Sequence, residues 1–165
     1  MNVNEFITDL RAQVSEYGHR AQRRDGKYME AFHVTGTFGW EWPAMWGEFP
    51  LREPMLSRLD RRMLKEQAVA LWNGCTDMEG PTTRKCFAHS QTMDCPIGFG
   101  AQMDQSTGTL RCWMPFRSVD LDRKFTDDVW TGIWIADAIA QKCFVDGGLV
   151  KVRFDLFNAH YKVDA

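Results

Sequence analysis

The sequence predicts an α+β fold in one domain that spans residues 1–165, and three observations lead to this expectation. Segments whose apolar residues recur every three or four positions, as in helices, are mixed with β-branched, aromatic or alternating segments, as in strands. These segments do not follow the regular strand–helix alternation of a parallel α/β fold. A length of 165 residues, 44% of them hydrophobic, suits one domain with its own core.

The first half of the chain predicts two helices separated by extended segments. Residues 2–17 have apolar residues at helical spacing and precede a glycine, which predicts an amphipathic helix. A basic stretch then leads to the Asp25-Gly26 pair, which is a turn signal. Residues 28–42 are rich in aromatic and β-branched residues and predict one or two strands, and residues 56–72 return to helical spacing.

The second half predicts further strands and a long helix. Residues 85–103 are strand-like but interrupted by glycine and proline. Residues 105–108 predict a hairpin turn that leads into a strand over 109–116. Residues 125–144 carry a wide apolar face at helical spacing, and residues 149–157 alternate apolar and charged side chains as a last strand.

Charge and cysteine usage argue against several classes of protein. A formal net charge of -2 does not suit a non-specific nucleic-acid binder, so we expect no direct nucleic-acid partner. The five cysteines include no CxxC pair and the four histidines are scattered, so we expect no metal site. No apolar run approaches the roughly 20 residues of a membrane span, and the first residues lack the pattern of a signal peptide. We therefore expect a cytoplasmic protein with reduced thiols and no membrane partner.

Two motifs in the second half carry more information than the fold class. Residues 108–121 read GTLRCWMPFRSVDL, and residues 157–161 read FNAHY. The first resembles the thymidylate synthase segment G-E-L-x-C, four residues, R-S-x-D, and the second resembles the D-A-H-x-Y segment of the same proteins. The chain is thus similar to the thymidylate synthase and deoxycytidylate (dCMP) hydroxymethylase family, as a shortened member. This resemblance implies a mostly antiparallel or mixed sheet packed by a few helices, and a homodimer formed through the sheet.

The resemblance also implies a binding site for a pyrimidine deoxynucleoside monophosphate. Phosphate would be held by the Arg-Ser pair of the first motif, by the basic turn before Gly26, and by an S-R-R-like element at residues 82–85 that reaches the partner subunit's site. The second motif would hold the sugar. The residues so assigned are Arg23, Arg24, Arg84, Arg117, Ser118, Asp120, Asp128, His160 and Tyr161. From the residues alone, Arg23, Arg24 and Arg84 equally suit a solvated basic face, and Arg117 suits a surface arginine paired with Asp120. The histidine suits a hydrogen-bonded strand end.

Cys95 is the candidate nucleophile. It follows Asp94 at the place where the family carries its Pro-Cys nucleophile. A cysteine attacks as the thiolate, which nearby arginines favour and an adjacent aspartate opposes. From the residues alone, a buried structural thiol is the alternative. Residues 65–68 resemble the helix that carries the family's catalytic glutamate, which falls on Glu66 or on Gln67.

Asp128 stands where the family reads the pyrimidine base, eleven residues after the motif arginine, and the uracil enzymes have asparagine there. Cytosine presents an amino donor at position 4, whereas uracil presents a carbonyl acceptor. A carboxylate accepts from the amino group, so aspartate favours dCMP over dUMP. The alternative is a helix N-cap, because Thr126, Asp127 and Asp128 lie where a helix is predicted to begin, and Asp127 could fill the same role.

These residues predict a pyrimidine nucleotide C5 one-carbon transferase, most closely a dCMP hydroxymethylase. The cysteine would add to C6, 5,10-methylenetetrahydrofolate would supply the one-carbon unit, and water would trap the product. A second hypothesis is a non-catalytic relative that binds a nucleotide or a protein. It arises because family members are longer, and their long segment between the positions of Gly80 and Thr83 is nearly absent here. A third hypothesis keeps the chemistry and takes dUMP as the substrate.

Overall fold

The computed structural model describes residues 1–44, 59–74, 85–90 and 95–163. This part of the chain forms three α-helices and six β-strands. In chain order they are α1 (Val3–Tyr17), β1 (His19–Arg23), β2 (Gly26–Trp42), α2 (Leu59–Gly74), β3 (Lys85–His89), β4 (Gly98–Asp104), β5 (Thr109–Asp120), α3 (Phe125–Cys143) and β6 (Gly148–Lys162).

The six strands form one mixed sheet in the order β1-β2-β6-β5-β4-β3. β5 and β6 are parallel, and every other neighbouring pair is antiparallel. A parallel pair needs a crossover connection, which α3 supplies between β5 and β6. The predicted α+β class is therefore confirmed, with a mixed sheet and three helices in the described residues. None of these helices is both long and apolar enough to cross a membrane.

Local sequence signals explain the bounds of α1. The helix begins in a capping box, in which the Asn2 side chain accepts from the Glu5 backbone N–H at 2.9 Å and the Glu5 carboxylate accepts from the Asn2 backbone N–H at 2.8 Å. It ends before Gly18, where a Cβ atom would lie 2.2 Å from the Val14 carbonyl oxygen. The helix therefore begins and ends within one residue of the predicted range, 2–17.

The helices and the sheet share one hydrophobic core, to which all three helices contribute. α3 lies close to the sheet because Gly132 has no side chain: a Cβ atom there would meet Met114 of β5 and Phe154 of β6 at 3.0 Å. This close packing holds the first turn of α3 near the end of β5. That turn carries Asp128, which is buried.

In three neighbouring strands, the alternate residues that face the core change from one set to the other, and they do so at aligned positions. On β6, even-numbered residues up to Leu156 are buried in the core, whereas beyond Phe157 the core residues are Ala159 and Tyr161. The same change occurs on β2 at His33 and on β5 at Arg117, which lie on either side of Phe157 in the sheet. His33 has a φ of 58°, in the left-handed region. The strands therefore continue after this row with their two faces exchanged.

This exchange explains why the predicted strand ends were too early. Strand prediction depends on a period of two, and that period is interrupted at Arg117 and Phe157. The hydrogen-bonded ladders nevertheless continue to Asp120 on β5 and to Lys162 on β6. The residues beyond the predicted ends, 117–120 on β5 and 158–162 on β6, form one end of the sheet.

Candidate functional site

A cavity of about 410 Å³ lies at one end of the sheet. This volume is within the range of roughly 300–1,000 Å³ that is typical of small-molecule sites. Six of the side chains predicted to bind or transform a substrate line it. They are Arg23, Cys95, Ser118, Asp120, Asp128 and His160.

The topology brings these residues together. β5 and β6 are parallel, so Ser118, Asp120 and His160 lie at the same end of the sheet. β2 is antiparallel to β6, so its first residues and the turn after Arg23 lie at that end too. The core residue Val119 faces the opposite side of β5 from its two neighbours. The register exchange at Arg117 is therefore what turns Ser118 and Asp120 away from the core.

Arg23 is the centre of a hydrogen-bond network on this side of the sheet. Its Nη1 donates to His160 Nε2 at 3.1 Å, and its Nη2 donates to Glu30 Oε2 at 2.9 Å. An arginine can only donate, so His160 Nε2 accepts and the ring proton is on Nδ1. That proton is donated to Asn158 Oδ1 at 3.0 Å, while Asn158 Nδ2 donates to Glu30. The network thus assigns both the histidine tautomer and the orientation of the asparagine amide.

The network also sets the charge of two of its members. Burial lowers the pKa of His160, and the adjacent Arg23 charge lowers it further. The hydrogen bond from Arg23 is the main cause that lowers the pKa of Glu30. At neutral pH the cavity is therefore bordered by a neutral imidazole, and the arginine charge is balanced by an ionised carboxylate.

Asp128 forms a buried ion pair with Arg61 of α2. The distance between Arg61 Nη2 and Asp128 Oδ1 is 2.6 Å, and each side chain is 7% exposed. Arg61 Nη1 also donates to the Asp127 carbonyl oxygen at 3.1 Å and to the Thr131 hydroxyl. The guanidinium therefore joins α2 to the first turn of α3 and fixes the Asp128 side chain at the cavity.

Asp128 does not cap α3. The N-cap residue of α3 is Lys124, and its side chain makes no capping hydrogen bond. Asp127 is likewise one of the helical residues, in the first turn. The N-cap alternative for either aspartate is therefore not the arrangement in the structure.

Cys95 is exposed at the cavity, unlike Cys112, which is buried in the core. Its carbonyl oxygen accepts from the Arg117 backbone N–H at 3.0 Å, and Pro96 bridges to Phe116. These backbone contacts attach the cysteine segment to β5 beside Ser118. The alternative of a buried structural thiol describes Cys112, whose pKa is raised by burial, and not Cys95.

Four predicted site residues lie elsewhere in the described chain. Glu66 is exposed on α2 and Arg24 is exposed in the β1–β2 turn, and neither lines the cavity. Arg117 is exposed on β5 next to the cavity-lining Ser118. The Tyr161 hydroxyl lies 2.7 Å from the Ser15 hydroxyl of α1, on the core side of β6, because successive strand residues face opposite ways. The remaining predicted residue, Arg84, lies outside the described residues.

Sequence reasoning missed several residues that line the cavity: Asp25, Tyr28, Arg61, Arg123 and Lys124. Arg61 had a signal, because it shares the helical spacing of the buried residues Leu64, Ala68 and Trp72 and is therefore an arginine on an apolar stripe. Asp25, Arg123 and Lys124 stand in turns, where spacing predicts no direction, and Tyr28 lies on β2. Among the described lining residues, four arginines or lysines face three aspartates, so the cavity wall is slightly cationic.

The chain matches no protein-family model, and no curated protein matches it.

Proposed function

We propose that this protein is a pyrimidine nucleotide C5 one-carbon transferase of the thymidylate synthase type, acting on dCMP as a hydroxymethylase. The observation that carries the proposal is the meeting of Cys95, Asp128 and His160 at one cavity of nucleotide size. They come from a loop, a helix and a strand that are far apart in the sequence. Each of them occupies a position that the family resemblance assigned to a different part of the substrate.

The slight excess of positive charge on the cavity wall favours the binding of an anionic ligand. Ser118, Arg123 and Lys124 lie together around the end of β5, where a phosphate could accept hydrogen bonds from a hydroxyl and from charged donors. Arg23 adds positive charge, although Glu30 already balances part of it. Arg24 and Arg117 are exposed and follow or precede the lining residues Arg23 and Ser118 directly in the sequence. Arg84 would come from a partner subunit.

The base and sugar would occupy the deeper part of the cavity. Asp128, held by Arg61, would accept a hydrogen bond from the cytosine amino group. The neutral His160 would bond a sugar hydroxyl by exchanging its bond to Arg23 or to Asn158. Tyr161, which bonds Ser15 on the other side of β6, would support the strand and not the sugar.

The chemistry begins with the sulfur of Cys95. Its thiolate adds to C6 of the base, and the electron pair of the C5–C6 double bond makes C5 nucleophilic. Methylenetetrahydrofolate would supply the one-carbon unit to C5. Loss of the C5 proton and departure of tetrahydrofolate as the free amine would leave an exocyclic methylene on C5. Water would add its oxygen to this methylene and release a proton, and the thiolate would then leave C6 as the C5–C6 double bond forms again. A reducing, cytoplasmic setting would keep the sulfur available.

The proposed nucleotide would fill the described cavity, and none of the described lining residues is assigned to the folate. Glu66 also lies outside the cavity, so no described residue is assigned to the removal of the C5 proton. This placement favours a second candidate function, a nucleotide-binding protein without turnover. Calorimetry separates the two: binding of dCMP with neither folate binding nor turnover would support the second candidate.

The test of the proposed activity is Cys95→Ser in an assay that follows tritium release from 5-tritiated dCMP. We expect the rate to fall by about three orders of magnitude or more. Cys143→Ser is the matched control, because Cys143 is a half-buried thiol that does not line the cavity, and it should keep the rate. Unchanged activity of the Cys95 variant would remove the mechanism.

We also propose that the protein is a homodimer formed through the sheet. The sheet face away from the helices carries large exposed apolar side chains: Phe32, Trp113 and Phe157 are 51%, 44% and 57% exposed. Phe32 and Phe157 lie in ring contact, so this apolar surface is continuous there. Exposed apolar patches of this kind commonly mark interfaces. A second copy would cover them and place its own Arg84 segment near this cavity.

A further inference from the structure

The ion pair between Arg61 and Asp128 has donors that its internal contacts do not use. A guanidinium has five N–H donors. Two hydrogens on Nη1 bond Asp127 and Thr131, and one hydrogen on Nη2 bonds Asp128. Arg61 lines the cavity, and one hydrogen of Nη2 remains beside the Asp128 carboxylate.

The Nε atom of Arg61 is a second sign that this cluster is incomplete. It is buried and has no hydrogen-bond partner among the residues that the structure describes. Buried donors without a partner are rare in folded proteins, and each needs a specific explanation. A site that binds a polar ligand is one such explanation, since the ligand would supply acceptors to an edge of the guanidinium that the described part of the chain leaves unpaired.

A carboxylate alone can bond only one of the two polar groups on the pairing edge of cytosine. The pairing edge of cytosine presents the N4 amino group as a donor and N3 as an acceptor. A carboxylate accepts from N4, and it has lone pairs for this in addition to its bond with Arg61. It offers no hydrogen to N3, so a cytosine bound by Asp128 alone would bury an unsatisfied acceptor.

We propose that Arg61 is a specificity-determining residue, and that Arg61 and Asp128 together read cytosine as an adjacent donor and acceptor. Asp128 accepts from N4, and the remaining Nη2 hydrogen of Arg61 is donated to N3. Uracil has the opposite order, with an acceptor at O4 and a donor at N3. Its O4 would face the Asp128 carboxylate, acceptor against acceptor, and its N3–H would face the Arg61 N–H, donor against donor. This inference rests on the proposed nucleotide site and adds the residue that completes its choice of base.

The test uses the wild-type protein and three ligands, with binding measured by calorimetry. The ligands are dCMP, dUMP and the 3-deaza analogue of dCMP, in which N3 is replaced by a C–H group. We expect dCMP to bind most tightly and the 3-deaza analogue to bind about 10- to 100-fold more weakly. Equal affinities for dCMP and its 3-deaza analogue would overturn the role of Arg61.

A substitution series connects this difference to Arg61. In Arg61→Met, dCMP should bind as weakly as the 3-deaza analogue, so that the difference between the two ligands disappears. Arg62→Met is the matched control, because Arg62 is the exposed neighbour on the same helix and should keep the full difference. If the wild-type difference persists in Arg61→Met, another donor reads N3 and the inference is wrong.

Two outcomes distinguish this inference from the proposed function. Absence of binding by any of the three nucleotides would overturn the nucleotide site and this inference with it. Binding without discrimination at N3 would leave the site in place and overturn only the role of Arg61. Removal of Arg61 takes a buried charge partner from Asp128 and could unfold the protein. The wild-type comparison of dCMP with its 3-deaza analogue needs no variant and decides the question in that case.

Discussion

Arg23 and His160 are 137 residues apart in the sequence, and Arg23 Nη1 lies 3.1 Å from His160 Nε2. The contact joins the outermost strand β1 to β6 across β2. It makes His160 an acceptor at Nε2 and a donor at Nδ1 toward Asn158. The hydrogen bond from Arg23 therefore determines which ring nitrogen of His160 carries the proton in the cavity.

The first prediction concerns the protonation of His160. Its pKa is lowered, mainly by burial and then by Arg23, so the folded protein binds this proton less readily than the unfolded chain does. Stability from this group is therefore complete above the ordinary histidine pKa of 6.5 and is lost as the pH falls through the lower, folded value. Nitrogen-15 NMR of the imidazole should show the Nδ1–H tautomer at pH 7 and titration below pH 6.5. A normal or raised pKa would contradict the network. Arg23→Gln should raise the His160 pKa without restoring it fully, because burial remains.

The second prediction concerns the choice of base by Asp128. In Asp128→Asn, the side chain can donate to uracil O4, so dUMP should gain affinity while dCMP loses about tenfold or more. Asp127→Asn is the control, since it changes the neighbouring carboxylate and leaves Asp128 in place. Competition binding with the two nucleotides measures both effects. If dUMP binds no better to the variant, the hypothesis of a dUMP enzyme is favoured over dCMP.

The third prediction concerns the phosphate. Arg123 is 65% exposed and its Nε lies 3.3 Å from Asp120 Oδ2 at the cavity. Arg123→Gln should weaken dCMP binding by about 3- to 10-fold, as expected for an exposed charged donor, and leave the binding of deoxycytidine unchanged. Arg153→Gln is a suitable control, because Arg153 is an exposed arginine paired with Asp155 on another part of the sheet. Equal weakening of the nucleoside and the nucleotide would show that Arg123 does not contact phosphate.

The fourth prediction concerns the sheet face proposed as the dimer interface. Phe157→Asp would place a charge in the centre of that face and should convert the dimer to a monomer. Sedimentation equilibrium measures the change. Val145→Asp is the control, since Val145 is 92% exposed after α3 and belongs to no apolar patch on the sheet. A wild-type protein that is monomeric at high concentration would refute the proposed interface.

The fifth prediction concerns the backbone at His33, where φ is 58°. Glycine adopts the left-handed region without the cost that other residues incur. His33→Gly should therefore be more stable to urea than His33→Ala by about 1 kcal/mol, and both variants lack the ring contact with Phe157. At Thr35, an exposed position on the same strand, the order should be reversed, because glycine weakens extended strands. The same order at both positions would mean that backbone strain is not what distinguishes His33.

Much of the local structure followed from the sequence. The spacing of apolar residues identified α1 and α3, and the turn signal at residues 105–108 correctly joined β4 to β5. α2 begins at Leu59 in the structure, and the residues before it that were predicted to be helical lie outside the described chain. The ends of β5 and β6 could not be predicted, because the period of two stops at the register exchange while the strand pairing continues.

The sequence by itself determined the α+β class and supplied the residue types on which the proposed nucleotide site rests, because periodicity and short motifs are local properties of the chain. Only the tertiary structure decided which of those residues meet. Parallel pairing of β5 and β6 brought Ser118 and His160 to one end of the sheet, while alternation along β6 turned Tyr161 to the other face. The pairing of Arg61 with Asp128 could not be read from either segment, because a buried charge finds its partner through the packing of two helices, and spacing along one helix does not specify that packing.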